Sequence, residues 1–458
     1  MSKLSRRSFI TGLIAAPALH LGSAKAADVD VVIVGAGAAG IAAAARLTEA
    51  KRSFRLLEAG DRIGGRCVTD TVSFGVPFDR GAHWIRDPDT NPLVQRTPGG
   101  LDIYNAPRGL SMRVGPRDAR DSELESLLAG LVRTRRALDE ARSLKTDVPA
   151  ARLLPRDLGA ASDTIAFVTG PLACGKDLGD VSAIDLARMP ERAGDAFCRE
   201  GYGALLARIG QSLRPTVSTP VELVYWGGNA AVIDTPKGNI RPRAVILTVS
   251  TGVLADDSLE FIPPFPKRHA DAAARLALGS YDHIALELPG NPLGLLKDDW
   301  VFEQAQGART AALLANVSGT SLHLVEIAGA FARDLSAQGE AAMIDFAKQW
   351  LVSLYGAGVR DKIRRAKATR WNAEPLVRGA MSAAAPGAAA ARKTLMEPIG
   401  GRVYLAGEAL HETKWGTVEG AWESGERAAD AVIRRLGGSK DDDDKPAKKP
   451  TKKPRRKR

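Results

Sequence analysis

Cysteine and histidine are scarce in this chain, and their scarcity restricts the chemistry that it can support. The 458 residues include only three cysteines and six histidines. Cys67, Cys174 and Cys198 do not have the spacing of metal ligands, so no metal site is predicted. Their odd number leaves two interpretations open, one disulfide between Cys174 and Cys198 or three buried free thiols. Neither interpretation gives these residues a part in catalysis.

The N-terminus lacks a hydrophobic run long enough to cross a membrane. The apolar run after the twin arginines Arg6 and Arg7 covers about 14 residues, whereas a spanning helix needs about 20. An A-x-A pattern of the kind found at cleavage sites ends at Ala26. Residues 1–27 are therefore predicted to be a signal peptide for the Tat export machinery, with a mature periplasmic or secreted protein that begins near Ala27. A cytoplasmic protein with an amphipathic start is the alternative.

The sequence also lacks an excess of acidic residues, and its formal charge is +11. This positive charge says little about binding partners, because most of it lies at the two ends of the chain. The first 27 residues contribute +4 and residues 440–458 contribute +6, so only +1 belongs to the rest of the chain. The body of the protein therefore gives no reason to expect a nucleic-acid partner. Residues 438–458 are predicted to be a disordered charged tail. An electrostatic anchor is the alternative, and the DDDDK run within the tail is also typical of an engineered tag.

The sequence does contain a glycine-rich turn between a strand and a helix. The apolar run Val31–Val34 predicts a buried parallel strand, and an alanine-rich helix is expected to end near Ala50. Between them stands a G-x-G-x-x-G pattern, in which glycines permit the tight turn, the approach of a pyrophosphate and helix packing on the strand. The free N–H groups of the helix N-terminus would bind the phosphate charge. The predicted nucleotide contacts are Gly35, Gly37, Ala38 and Gly40.

A second motif follows the next predicted strand, Phe54–Leu57. Glu58 ends this strand about 20 residues after the glycines, where an acidic residue can bind ribose hydroxyls. The run E-A-G-D-R-I-G-G-R from 58 to 66 resembles the E-A-x-x-R-x-G-G-R signature of the flavin amine oxidase superfamily. The resemblance implies FAD as the cofactor. It also places four further residues of the run against the diphosphate and the flavin: Ala59, Gly64, Gly65 and Arg66.

Several later segments resemble the same family and occur in the family's order. They include D-R-G-A-H-W-I at 79–85, A-V-I-L-T-V-S-T-G-V-L at 244–254, and A-G-E at 406–408 followed by W-G-T-V-E-G-A at 415–421. Monoamine oxidases carry a flavin-linked cysteine where Ala380 stands, so the resemblance implies noncovalent FAD. Two further segments that resemble the family are P-V-E-L at 220–223 and R-W at 370–371. The cofactor contacts that the resemblance implies in all these segments are Gly81, Ala82, His83, Trp84, Val221, Trp371, Gly407, Glu408, Thr417 and Val418.

The chain departs from the family's pattern at the reactive end of the predicted site. His283 stands where most relatives have a lysine that holds a water against the flavin, and it is the candidate catalytic residue. A histidine could hold that water or accept a proton from an ammonium substrate. Met381 and Thr417 occupy the positions of the two aromatic residues that flank an amine in monoamine oxidases. These two residues and Trp415 are the candidate substrate contacts, although core packing would also explain Trp415.

The resemblance implies a two-domain α/β fold with a Rossmann-like FAD domain and a mixed α/β substrate domain. The FAD domain is predicted to be discontinuous and to comprise residues 28–95, 200–265 and 368–437. Residues 96–199 and 266–367 are predicted to form the substrate domain. Within the second of these segments, strands are expected near 311–315 and 322–328 and a helix over 340–355.

The function implied is oxidation of an amine C–N bond by hydride transfer to the flavin, followed by hydrolysis of the imine. The partners would be a small amine and oxygen or a periplasmic electron acceptor, and a homodimer is left open. Three alternatives remain. One is a C–C desaturase or another flavin oxidoreductase of the same superfamily, and a second is an L-amino-acid oxidase that would bind a carboxylate through Arg86 or Arg378. The third is a noncatalytic flavoprotein.

Overall fold

The structure is a computed structural model that describes residues 27–96, 102–107, 109–191, 194–228, 230–256 and 258–437. The predicted tail and all but the last residue of the predicted signal peptide lie outside these residues. In the described part of the chain, no helix is both long and apolar enough to cross a bilayer. All three cysteines are buried free thiols, so the disulfide between Cys174 and Cys198 is not formed.

The described residues form strands and helices in a mixed order. The strands are β1 (Val29–Val34), β2 (Phe54–Leu57), β3 (Thr69–Asp70), β4 (Phe78–Asp79), β5 (Ile85–Arg86), β6 (Ile103–Asn105), β7 (Ser111–Val114), β8 (Arg117–Asp118), β9 (Asp195–Cys198), β10 (Leu223–Tyr225), β11 (Val232–Asp234), β12 (Pro242–Leu247), β13 (Glu260–Ile262), β14 (Tyr281–Glu287), β15 (Trp300–Glu303), β16 (Ala312–Leu314), β17 (Leu322–Ala328), β18 (Arg365–Ala368) and β19 (Val403–Leu405). The α-helices are α1 (Ala38–Glu49), α2 (Pro92–Gln95), α3 (Asp121–Asp139), α4 (Ser162–Thr169), α5 (Pro171–Cys174), α6 (Ala183–Ala187), α7 (Tyr202–Gln211), α8 (Thr251–Leu254), α9 (Lys267–Arg275), α10 (Gly329–Ala337), α11 (Glu340–Tyr355), α12 (Ala391–Met396) and α13 (Val418–Arg435).

A four-stranded parallel sheet of order β19-β12-β1-β2 carries the glycine turn. Its two central strands are apolar from Val31 to Val34 and from Ala244 to Leu247, because both faces of the sheet are covered there, as is usual for parallel sheets. Helices α1 and α13 pack against each other on one face. A Cβ atom on Gly425 of α13 would lie 2.1 Å from the main-chain oxygen of Ala39, so the two helices approach backbone to backbone. This contact explains why α1 is rich in alanine.

A second, larger sheet has seven strands in the order β18-β14-β17-β16-β15-β7-β8. Helices α10 and α11 cover one face through a core of aliphatic and aromatic side chains. The predicted strand at 322–328 and the predicted helix at 340–355 have the bounds of β17 and α11. The strand near 311–315 is present as the shorter β16. The domain boundaries at 95, 199, 265 and 367 stay predictions.

Candidate active site

A cavity of about 730 Å³ lies at the carboxyl ends of β1, β2 and β12. Ligands of parallel α/β sheets bind at this edge, where the loops that follow the strands converge. Every residue that the sequence analysis placed at the cofactor, the substrate or the catalytic step lines this cavity, except Gly40. Gly40 faces the turn instead, and a Cβ atom there would lie 1.9 Å from the main-chain oxygen of Gly35. Its place is therefore in helix–strand packing, as the third glycine of the motif requires.

The turn after β1 fits the diphosphate of a nucleotide. Gly35 has a φ of +100°, a conformation that side chains with a Cβ rarely adopt. A Cβ on Gly37 would meet no atom within 4 Å, so the backbone is open where Gly37 lines the cavity. No side chain caps the N-terminus of α1 at Gly37, which leaves the first N–H groups of the helix to a ligand. An anionic group is the ligand that such a helix end attracts.

Glu58 holds the same turn in place through both carboxylate oxygens. Oε2 accepts a hydrogen bond of 2.8 Å from the main-chain N–H of Ala36, and Oε1 accepts one of 2.8 Å from that of Gly60. The side chain also lines the cavity. Its contact with a ribose stays a prediction, but its contribution to the shape of the turn is visible.

Glu408 is a charged junction of four chain segments at the cavity. It accepts hydrogen bonds from the Arg66 guanidinium at 2.8 Å, the Ser382 hydroxyl at 2.7 Å and the Gly416 main-chain N–H at 2.9 Å. Burial alone would raise the pKa of Glu408, but Arg66 and Ser382 bring it below its ordinary value. Glu408 is therefore ionised at neutral pH, with donors of the protein itself on both oxygens.

His283 lies on β14, is buried and lines the cavity. Its Nδ1 is 3.0 Å from the main-chain oxygen of Asp79. A carbonyl oxygen can only accept, so Nδ1 carries the proton and Nε2 is left as an acceptor. Burial lowers the pKa of His283 to about 4. The resting imidazole is thus neutral at physiological pH and has a lone pair available for a proton.

Asp79 also orients a second histidine at the cavity. The Asp79 carboxylate is 3.0 Å from Nδ1 of His83 and accepts a hydrogen bond of 3.0 Å from the Tyr202 main-chain N–H. Among the described residues, Nε2 of His83 is buried without a hydrogen-bond partner. One aspartate therefore positions both histidines, through its carboxylate for His83 and through its carbonyl for His283.

Two polar residues beside His283 escaped the sequence analysis. Tyr281 precedes His283 by two positions on β14 and lines the cavity. Its hydroxyl donates a hydrogen bond to the carboxyl group of Glu326, which lies opposite His283 on β17. The spacing of Tyr281 on the strand was a usable signal, since alternate residues share a face. The position of Glu326 depends on the pairing of two strands about 40 residues apart.

The wall of the cavity near these groups is partly aromatic. Trp84 lines the cavity, and its ring lies 4.7 Å from the ring of Phe197 and 5.4 Å from that of Trp300 between centroids. Trp84 therefore both packs in the core and forms the wall. Met381 and Thr417 line the cavity without an aromatic ring, as the sequence indicates.

Trp415 reaches the cavity from the core. It is fully buried, its indole N–H donates to the Asp185 main-chain oxygen at 3.3 Å, and the Arg392 guanidinium lies 4.6 Å from its ring centroid. Its ring is thus fixed by core contacts and presents only part of its surface to the cavity. Trp422 is also fully buried and is not part of the cavity lining.

The two arginines considered for a carboxylate substrate both have acidic partners. Arg86 forms an ion pair of 2.8 Å with Asp195, and Arg378 forms one with Asp256. Both arginines line the cavity. Their charges are already balanced within the protein, which does not favour recognition of an amino-acid carboxylate.

Asp282 fixes the chain segment that brings Trp371 to the cavity, and this carboxyl group predicts a dependence of stability on pH. Its Oδ1 accepts hydrogen bonds of 2.9 Å from the Trp371 main-chain N–H and from the Thr369 hydroxyl. Burial raises the pKa of Asp282 from 3.8 to about 6, against the effect of these hydrogen bonds. The folded protein therefore binds this proton more tightly than the unfolded chain. Its contribution to stability is complete below about pH 4 and is lost as the pH rises through about 6.

Asp282→Asn keeps the acceptor oxygen and cannot ionise. We expect the variant to equal the wild type near pH 4 and to exceed its free energy of unfolding by roughly 3 kcal/mol at pH 7. Urea unfolding at several pH values measures this difference, with the exposed Asp361→Asn as the matched control. A difference that does not change with pH would contradict the assignment.

Two segments of the chain match the models of known protein families. Residues 175–433 match the family model described as flavin containing amine oxidoreductase. Residues 33–97 match the model described as an NAD(P)-binding Rossmann-like domain. The first match covers more than half of the chain, and the second contains the glycine turn.

Known proteins similar to this chain include a histone demethylase and a polyamine oxidase. Lysine-specific histone demethylase 1B of Mus musculus is 25% identical over 442 residues, which cover 88% of this chain and 52% of that protein. The chain thus spans about half the length of this relative. Polyamine oxidase 5 of Oryza sativa subsp. japonica is 24% identical, over 91% of this chain and 90% of that protein.

Solved structures show the same fold. Cyclohexylamine oxidase from Brevibacterium oxydans superposes with a TM-score of 0.74 at 21% identity, over 89% of this chain and 99% of that chain. Putrescine oxidase bound to putrescine gives a TM-score of 0.75 at 20% identity, with the same coverage.

Proposed function

Because this chain belongs to the family of flavin-containing amine oxidoreductases, we propose that it oxidises a small amine at the carbon next to the nitrogen, giving an imine that water hydrolyses. The enzyme is flavin-dependent, and its cofactor is FAD, bound noncovalently. When bound, the flavin accepts the hydride. The observation that carries the proposal is a neutral histidine, His283, exposed to the cavity that the nucleotide-binding turn also lines.

The chain contributes binding, orientation and proton transfer. Gly37 and the N-terminus of α1 would hold the diphosphate, and the Arg66–Glu408 pair fixes the cavity floor around it. The N-terminus of α13, capped by the Thr417 hydroxyl at 3.0 Å from the Gly420 N–H, begins at the same cavity. A helix N-terminus stabilises negative charge nearby. Nε2 of His283 would accept the proton that an ammonium substrate must lose before oxidation.

The apolar part of the cavity wall favours a substrate that has an uncharged organic group next to its amine nitrogen. Trp84 and Met381 offer apolar surface, whereas the aromatic pair that flanks amines in monoamine oxidases is absent. The balanced ion pairs of Arg86 and Arg378 do not support the alternative of an L-amino-acid oxidase. A first panel of substrates should therefore contrast cyclohexylamine, which has an uncharged ring, with putrescine and polyamines, which carry further ammonium groups.

Replacing His283 tests the proton-transfer role. We expect His283→Ala to slow anaerobic reduction of the flavin by an amine about 100-fold, within the range that a general base contributes. Stopped-flow absorbance measures the rate. His323→Ala is the matched control, because His323 is also a buried histidine of this sheet and does not line the cavity. Equal rates in both variants would remove His283 from the mechanism.

We further propose that the protein is exported through the Tat machinery to the periplasm or the medium and delivers its electrons to oxygen or a periplasmic acceptor. The twin arginines Arg6 and Arg7 support the export route. Mass spectrometry of exported protein should find a new N-terminus near Ala27. An intact Met1 in exported material would contradict the proposal. A homodimer remains an open proposal that sedimentation of the purified protein would test.

A further inference from the structure

Glu326 is a buried acid whose surroundings are unusual for a structural residue. It is fully buried on β17, and its register partner on β14 is His283. One carboxyl oxygen, Oε2, accepts the hydrogen bond from the Tyr281 hydroxyl. The other, Oε1, has no hydrogen-bond partner among the described residues and lies 3.9 Å from Nε2 of His283. A buried carboxyl group thus has one oxygen aimed at the imidazole nitrogen that is open to a proton.

His283 alone is a weak base in this position. Its Nδ1–H donates to the Asp79 carbonyl, which fixes the ring, but burial disfavours the charged imidazolium. A protonated His283 therefore needs a negative charge close to Nε2. Glu326 is the acidic side chain that pairs with this nitrogen within 4 Å in the described structure. The two side chains can share a proton as a coupled pair.

We propose that Glu326 is a positioning residue that supplies the counter-charge with which His283 accepts the proton of an ammonium substrate. This inference rests on the proposed amine oxidation. An N–H bond of the ammonium breaks, a bond between Nε2 and that proton forms, and the electron pair stays on the amine nitrogen. Glu326 acts through His283 and Tyr281, since it does not itself line the cavity.

The groups around Glu326 agree with this role. His83 acts on it from the segment between β4 and β5, and Arg86 does so from β5. Tyr281 and His283 act on it from β14. Its neighbour on β16 is Ala312.

The helices packed against β17 contribute no competing partner among the described residues. On α5, the Cys174 thiol donates to the Gly170 carbonyl, and on α10, Arg333 and Asp334 pair with each other at the surface. Burial raises the pKa of Glu326 to about 7, so part of the carboxyl group is ionised at neutral pH.

Glu326→Gln tests the charge without changing the shape, because glutamine keeps an oxygen for the Tyr281 hydroxyl. In the holoenzyme, NMR of labelled histidines, with His283 assigned through His283→Gln, should show a titration step of His283 near the pH at which Glu326 ionises, and Glu326→Gln should abolish this step. The value of kcat/KM for an amine should fall at least about tenfold, and its acidic limb should move to lower pH. Glu326→Asp, which retains the charge, should restore part of both effects.

Glu303→Gln is the matched control, because Glu303 is a hydrogen-bonded acid on β15 of the same sheet and does not line the cavity. It should leave both the titration of His283 and the pH profile unchanged. The proposal is overturned if His283 titrates in Glu326→Gln as it does in the wild type and amines still reduce the flavin of this variant at the wild-type rate. If no amine reduces the wild-type flavin, the proposed function fails, and the NMR titration still decides whether Glu326 and His283 are coupled.

Discussion

Asp185→Ala is expected to destabilise the protein by about 3–5 kcal/mol, because it leaves the Arg392 guanidinium buried without its counter-charge. Both side chains are fully buried, and the guanidinium forms hydrogen bonds of 2.9 Å and 2.7 Å to the two carboxylate oxygens. Arg392 also donates to the Ala409 main-chain oxygen at 2.7 Å and to the Ser382 hydroxyl at 3.2 Å. Through Ser382 the pair is connected to Glu408 at the cavity, so a lower flavin content should accompany the loss of stability.

Chemical denaturation of the holoenzyme measures the effect of Asp185→Ala. The matched control is Asp157→Ala, which breaks an exposed ion pair of 2.6 Å with Arg133 and should cost no more than about 1 kcal/mol. A double variant, Asp185→Leu with Arg392→Met, removes both charges together and should recover much of the stability. Equal effects of Asp185→Ala and Asp157→Ala would show that the buried pair is not a structural anchor.

Gly37→Ala is expected to weaken flavin binding at least tenfold, or about 1.4 kcal/mol, with little effect on the fold. A methyl group at this position meets no protein atom within 4 Å, so it would occupy space at the turn that the diphosphate needs. Gly40→Ala should behave differently, because its methyl group would lie 1.9 Å from the Gly35 oxygen and disturb the turn itself. The first variant separates cofactor binding from folding.

Flavin affinity and the melting temperature of the flavin-free protein are the two measurements for this pair. In Gly37→Ala, the free energy of unfolding should change by less than about 1 kcal/mol, the scale of an N-cap substitution. Gly358→Ala is the matched control, since a methyl group there also meets nothing within 4 Å and the residue lies away from the cavity. Unchanged flavin affinity in Gly37→Ala would place the diphosphate elsewhere.

The parts of the fold that depend on local sequence were predictable. Glycine spacing and an apolar run specify β1, the turn at Gly35 and α1, because each needs only near neighbours in the chain. Hydrophobic periodicity was sufficient for β17 and α11, whose bounds agree with the prediction. The two-domain α/β class and the FAD cofactor followed from the resemblance of several segments to the flavin amine oxidase superfamily.

The interactions that depend on distant pairing were not predictable. Glu326 faces His283 only because β14 and β17 pair in one register, and a shift of one residue would turn its side chain to the other face. Asp185 and Arg392 are 207 residues apart in sequence. The sequence showed that His283 stands where most relatives have a lysine. It did not show that Asp79 orients His283, because this contact joins residues that are 204 positions apart. Hydrophobic periodicity indicates which face of a strand or helix is buried. It does not indicate which buried polar side chains contact each other.

The most direct test of the account is the absorbance of the purified holoenzyme under anaerobic addition of the amine panel. The central claim is that one cavity holds FAD through the turn at Gly37 and delivers an amine to it past His283. The expected result is a yellow protein whose flavin absorbance bleaches with at least one amine, and bleaches far more slowly in His283→Ala. A protein that binds no flavin after reconstitution, or a bound flavin that no amine reduces, would contradict it.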